Sequence, residues 1–436
     1  MTDWNIWNGL KTVVRGARFS RLTPDARVYV LNSSLQTARD VLVNLFVLIF
    51  IWKIDQNLMT TCKFRLGAAV IIPFFSVVGG ILAHKLDRIW TFRLGILLYL
   101  PFFLLLILLG KHSAYYALLL GGAAGVAEGI YWSGRQTLDF EHARGRNSAY
   151  FLGLQSALSG IVAMLMPVLS GFIIEKIPPV PLLGSRSGYV LIFGVAILIA
   201  VAGLLMTLVY TPDRHRGRLK YWKAFVPHKN NPAWSIILVY HVLSGFRSTI
   251  LLIFSAVLFY SLVKSEFAVG GVHTLGAVLS VVIIYFLGHV VSRKNRLPVY
   301  AIGIVLFVCS SSLLFFKISV VSLTLFVLFQ RLSEGFFRLP VSTIRYDAIR
   351  SDPAHKEAKI EYNIAFEPYI ALGRVSAVLV MMMFVRHFLQ TGAGQMASIR
   401  YCVIFLCVLP LFEFLLMAAA SRQIRLKGVM HEDMTN

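Results

Sequence analysis

Apolar runs of about twenty residues recur almost without pause along this chain, and no other feature limits its fold as much. They number twelve, centred near Asn44, Phe75, Phe103, Ala124, Gly160, Ile197, Phe254, Val281, Phe307, Phe329, Ala377 and Leu409. Each is long enough to cross a bilayer as a helix. Lipid leaves no water for backbone amides, so a span must be a helix or part of a closed barrel. Barrel strands would alternate over about ten residues, and these runs do not alternate. Composition agrees: 57 % of residues are hydrophobic and 14 % charged, against about 25 % charged in a soluble domain. A soluble enzyme, a disordered chain and a secreted disulfide scaffold are excluded. The expected fold class is an all-α polytopic membrane protein with twelve transmembrane helices.

The net charge of +22 would suggest nucleic acid in a soluble protein. In a membrane chain it reflects basic cytoplasmic loops instead, and no nucleic-acid partner is expected. Of the 42 Lys and Arg, 26 fall in segments on the N-terminal side of the spans and 10 on the other. That bias predicts a multi-pass protein of the cytoplasmic (inner) membrane with both termini cytoplasmic. The segment 1–27 reads as a basic amphipathic helix against anionic lipid, or as a loosely ordered tail. The linker 211–232 is basic and proline-bearing, and 422–436 forms a cytoplasmic tail. The four cysteines show neither metal-ligand spacing nor a paired framework, and no P-loop is present. No metal, cofactor or catalytic group is expected, so the chain does not read as an enzyme.

The segments 28–210 and 233–421 repeat each other. Gly80-Ile-Leu-Ala-His84-Lys85-Leu-Asp87-Arg88 is echoed 208 residues later by Gly288-His-Val-Val-Ser292-Arg293-Lys294-Asn-Arg296. Arg39 matches Arg247 at an offset of 208, and Glu128-Gly129 matches Glu334-Gly335 at 206. Two six-helix bundles in tandem follow. At this point the chain resembles the major facilitator superfamily. Gly80, Leu82, Ala83 and Lys85 fit that family's basic loop between helices two and three, with His84 and Asp87 departing from it. Gly160, Pro167 and Gly171 keep part of its fifth-helix signature. Gly121 and Gly122 stand near where proton antiporters of the family often carry an Arg. Val43-Asn44-Leu-Phe with Trp52-Lys53 is similar to a bacterial branch of the family. The resemblance implies a cavity lined by helices one, four, seven and ten.

Charges within apolar spans cost several kcal/mol, at least about 2.5–3.5 on insertion scales, so they mark a pathway or a partner. Arg39, Asn44, Trp132, Arg247 and Glu367 are the candidates for binding a solute. A two-fold axis between the halves would bring the two guanidiniums to one anion site, similar to that of organophosphate antiporters. Asp40 and Glu367 could instead satisfy both arginines internally. Asp40, Glu128 and Glu334 are the candidates for carrying a proton. Lys85, Asp87, Asp139, Glu141, Arg293 and Asp347 lie at helix ends and are read as a cytoplasmic gate. The expected function is secondary transport by alternating access of a small organic solute, anionic or zwitterionic, coupled to protons or a counter-solute. A flippase for a lipid-linked substrate and a non-transporting membrane protein are the alternatives. The expected partners are the solute, the coupling ion and membrane lipids, with the chain acting as a monomer.

Overall fold

The computed structural model describes residues 22–142, 148–181, 184, 186–210, 231–292, 294–350, 362, 365–391 and 394–433. Most of the 1–27 segment and the 211–232 linker therefore lie outside the described residues, as does Arg293. Twelve long helices account for nearly all the rest. In chain order, α1 comprises Pro24–Val41, a π-helical turn at Leu42–Val47, and Leu48–Asp55. Then follow α2 (Leu58–Lys85), α3 (Arg88–Leu109), α4 (Ala117–His142), α5 (Ser148–Lys176) and α6 (Ser187–Thr207). α7 comprises Pro232–Ile253, a π-helical turn at Phe254–Leu258, and Phe259–Val263. The remainder are α8 (Glu266–Val290), α9 (Arg296–Phe316), α10 (Val320–Arg350), α11 (Glu367–Gln390) and α12 (Gly394–Asp433).

Local chemistry sets several boundaries. Proline stands at the first position of α1 and α7, where its missing N–H costs nothing. Side chains of Asn57, Asp87, Asn231 and Ser265 accept a hydrogen bond from the first turn of the helix each precedes. Gln56 and Lys264, 208 residues apart, end α1 and α7 with left-handed backbone at φ 52° and 53°.

Among the described residues, ten helices are long and apolar enough to cross a membrane by length and composition. α1 and α4, which are not among them, carry Arg39, Asp40, Glu128, Arg135 and Asp139. Apolar helices surround them, so those charges meet protein rather than lipid.

The packing repeats. In the first half α2 packs on α4, α3 on α4 and α6, and α1 on α5 and α6. In the second half the same pairs recur six helices on: α8 with α10, α9 with α10 and α12, α7 with α11 and α12. The two main crossings between the halves, α2 on α11 and α5 on α8, are images of each other under a two-fold exchange, and the end of α1 also touches the π-helical turn of α7.

The α5–α8 crossing explains the Pro167 and Gly171 part of the surviving fifth-helix signature, whereas Gly160 faces open space. A Cβ on Gly171 would stand 2.3 Å from the Glu266 carbonyl oxygen, and one on Gly270 would stand 2.1 Å from that of Pro167. Backbones this close admit only glycine, the small-residue packing usual between membrane helices. Gly121 on α4 is held likewise, 1.9 Å from the Phe64 carbonyl oxygen of α2 were it to carry a Cβ. Its place therefore has no room for an arginine.

Candidate functional site

Both arginines of the repeat are packed between aromatic rings on equivalent helices. The Arg39 guanidinium lies 3.8 Å from the ring centre of Tyr99 and 4.0 Å from that of Tyr131. Arg247 lies 5.0 Å from Phe337 and 5.4 Å from Phe307. Tyr99 and Phe307 differ by 208 positions, Tyr131 and Phe337 by 206. A ring face attracts a cation, more strongly where water is excluded.

Their carboxylate partners differ. Arg39 donates to Asp40 Oδ1 at 2.6 Å and to Gln36 Oε1 at 2.8 Å, and its exposure is 0 %. It is therefore enclosed in the first half and does not line open space. Desolvation explains the placement, because a dry cation is kept only with a partner. Arg247 donates through Nε to Glu413 Oε1 at 2.8 Å, and Tyr300 donates to the other oxygen at 3.4 Å. Glu413 comes from α12, away from the expected cavity helices, and its exposure is also 0 %. The sequence alone does not show which residue Glu413 pairs with. The signal available was that it is an acid within an otherwise apolar outer span.

A chain of polar contacts extends from Arg39 through the first half. Arg135 lies 3.6 Å from Asp40 and 3.9 Å from Asp139, donates to Tyr131 Oη at 3.1 Å, and sits 4.9 Å from the Trp132 ring. Tyr29 and Gln155 each donate to Asp139 Oδ1 at 2.6 Å. Asn44, in the π-helical turn, donates to the Asp40 carbonyl at 3.0 Å. Glu128 is half-buried and within electrostatic reach of Arg65 on α2 and Arg374 on α11, a charge cluster that spans the two halves.

The second half holds a cavity of about 430 Å³ between α7, α10 and α11. Arg247, Arg331, Arg338 and Arg345 line it with Glu334, His241, Ser244 and Phe366. Arg331 donates to Glu334 at 3.4 Å and to His273 Nδ1 at 3.2 Å. A guanidinium only donates, so His273 donates from Nε2 to the Ser255 carbonyl at 3.0 Å. Glu367 opens the first turn of α11 near this wall. Successive helices are antiparallel, so α10 runs back toward the face that bears the termini. The cavity extends that way from Arg331 to Arg345.

The expected gate residues divide. Arg88 pairs with Glu141 across α3 and α4. Arg296 pairs with Asp347 at 2.7 Å across α9 and α10, the same brace in the other half. Asp87 caps α3, and Lys85 is exposed at the end of α2. Thr274 of α8 donates to the Met164 carbonyl of α5 at 2.6 Å, and the other hydrogen bonds and ion pairs between the halves lie toward the opposite face, away from the termini. Lys53 pairs with Glu266 at 2.7 Å, and Tyr189 donates to the same carboxylate at 3.0 Å. Ser265 donates to Glu175 at 2.6 Å, and the Leu58 amide donates to Gln395 at 3.1 Å. This clamp was not read from the sequence.

Comparison with known proteins places this geometry. The sequence profile of the Major Facilitator Superfamily matches residues 47–358. The uncharacterized protein YqgE of Bacillus subtilis (strain 168) is 25 % identical over 344 residues, covering 79 % of each chain. The crystal structure of the nucleoside transporter NupG superposes with a TM-score of 0.69 at 14 % identity, covering 90 % of this chain and 99 % of that one. The crystal structure of the D-xylose-proton symporter gives 0.64 at 12 % identity, covering 89 % of this chain and 96 % of the other. With the helix count, the two-fold packing and the profile in agreement, the chain belongs to the major facilitator superfamily of membrane transporters.

Proposed function

We propose that the protein is a secondary transporter that carries a small organic anion, or a zwitterion bound by its anionic end, by alternating access. The observation that carries this reading is the arginine-rich wall of the second-half cavity. Arg247 is neutralised by Glu413, and Arg331 is partly matched by Glu334. Arg338 and Arg345 add charge with no acidic partner among the described residues. Such a wall favours carboxylate or phosphate, which guanidinium groups bind in a planar fork.

In this reading the halves, 28–210 and 233–421, rock about the α2–α11 and α5–α8 crossings. The Lys53–Glu266 clamp holds the far face shut while the cavity opens toward the termini. With both termini cytoplasmic, this is the inward-open state in the cytoplasmic membrane. The braces Arg88–Glu141 and Arg296–Asp347 lie within single halves and keep each rigid, while Lys85, Asp87 and Asp139 stand on the first half's side of the mouth as it closes. Trp132, Asn44 and Glu367 face the solute, and Arg39 acts on it through Asp40 and Arg135. Asp40, Glu128 and Glu334 are the groups that take up the coupling proton. Proton coupling in the D-xylose symporter, and a small polar solute there and in NupG, accord with this reading.

The test is uptake by purified protein in liposomes, with a panel of anionic, zwitterionic, cationic and neutral metabolites and an imposed pH gradient. Movement of an anion or zwitterion, abolished by Arg331→Gln and uncoupled from pH by Glu128→Gln or Glu334→Gln, is the expected result. Movement of cations alone overturns the anion assignment, and scrambling of a labelled lipid without solute uptake replaces it with a flippase.

A further inference from the structure

Arg331, Arg338 and Arg345 recur every seven residues along α10. Seven residues make nearly two helical turns, so the three share one face, about 10 Å apart. All three line the cavity. Their order along α10 puts Arg331 innermost and Arg345 at the mouth.

The three are held differently. Arg331 is tied to Glu334 and His273. Arg345 rests beside two rings, 5.1 Å from Phe366 and 5.5 Å from Tyr346, which hold its guanidinium in place without neutralising it. Arg338 is exposed. Neither outer arginine has an acidic partner among the described residues. The Nε atoms of Arg331 and Arg345 are buried and make no hydrogen bond, as is also true of the ion-paired Arg39 and Arg296; Arg345 differs from those in having no acidic partner among the described residues. A buried donor on a cation that lacks an acceptor is an open demand for one. The rest of the wall does not meet it: Glu334 is the one carboxylate lining the cavity among the described residues, and it is already engaged by Arg331.

We propose that Arg338 and Arg345 form an outer anion subsite, and that the α10 ladder selects solutes carrying two or more negative charges on oxyanion groups. This rests on the anion-transport reading and narrows it. A multivalent oxyanion is captured at the mouth by Arg345 and Arg338, then passes to Arg331 and Arg247. Successive guanidiniums allow the next contact to form before the last is released. A monovalent anion can engage only one rung at a time and gains little from the others.

The experiment is calorimetric titration of the purified full-length protein with pyrophosphate, and with acetate as the monovalent control, at low and at physiological ionic strength. Wild type is expected to bind pyrophosphate far more tightly than acetate, with affinity falling steeply as salt rises. Arg338→Gln and Arg345→Gln should each weaken pyrophosphate binding about tenfold at low salt, flatten the salt dependence and weaken acetate binding much less. Arg→Lys at either place keeps the charge but loses the fork, so it should fall between wild type and Gln. The Lys variants also serve if a Gln variant misfolds. Equal affinities and salt dependence in wild type and all four variants overturn the subsite, as does the lack of any pyrophosphate binding by wild type. Either result leaves the anion-transport reading standing if uptake in liposomes still selects anions, so the two failures are distinguishable.

Discussion

Glu413 gives the sharpest test of how this fold keeps charge inside a membrane. The pair with Arg247 is closed to water on one side: Glu413 has 0 % exposed side chain and Arg247 has 9 %. Replacing Glu413 with Gln keeps the shape and removes the charge. Two unit charges about 4 Å apart at an effective dielectric of 20 interact by about 4 kcal/mol. Removing one partner of a buried pair costs about 3–5 kcal/mol, because the other charge stays behind. Arg247 borders the cavity, so some water can reach it, and the lower end of that range applies. The expected loss is about 3 kcal/mol, or several degrees in thermal denaturation followed by tryptophan fluorescence. The double variant Arg247→Gln/Glu413→Gln leaves no orphan charge and should be more stable than either single variant. The deciding quantity is the interaction energy of the four-member cycle. If the two single effects simply add in the double variant, the pair is not coupled and the argument from desolvation fails.

Other outcomes follow from the same structure. Gly171→Leu should push α5 away from α8 and prevent closure of the far face, seen as labelling of a cysteine placed at Ser261 by an impermeant maleimide added from that face. Unchanged labelling would show that the crossing does not control closure. Lys53→Gln breaks the clamp to Glu266 and should raise that same labelling without lowering the yield of folded protein. Tyr99→Ala should destabilise by about 3–5 kcal/mol through the lost ring, whereas Tyr99→Phe keeps the sandwich over Arg39 and should cost far less. Equal losses in the two variants would exclude the ring face as the partner.

The twelve apolar runs marked all twelve helices, because lipid forces a span to satisfy its own backbone and so writes its length into the sequence. The repeat was legible in Arg39 and Arg247 for a similar reason, since a charge stands out against apolar neighbours. What surrounds those arginines was not legible. Tyr99, Tyr131, Phe307 and Phe337 look like any apolar residue until the helices pack, and only the shared offset of 206–208 could have linked them. Glu413 was hidden because partner choice depends on which helix lies across the bundle. Of the residues expected to bind solute, Arg247 lines the cavity and Arg39 does not, since the adjacent Asp40 in the sequence already offered it a partner. Gly171 was visible from its pattern, yet its mate Gly270 was not, because one helix cannot reveal which neighbour approaches it.

The matched internal braces bear on how such a chain could be assembled and inherited. Arg39 with Asp40 and Arg88 with Glu141 close within one half, and Arg247 with Glu413 and Arg296 with Asp347 close within the other. Neither half borrows a counter-ion for these arginines from across the divide. Two separate polypeptides, broken between Tyr210 and Asn231, would each leave the translocon with these charges already matched. They would need each other for the glycine crossings, the far-face clamp and the Glu128 cluster with Arg374. A gene split at that point could therefore still yield an intact protein, and a fused pair of ancestral half-genes would have begun with the same self-sufficiency.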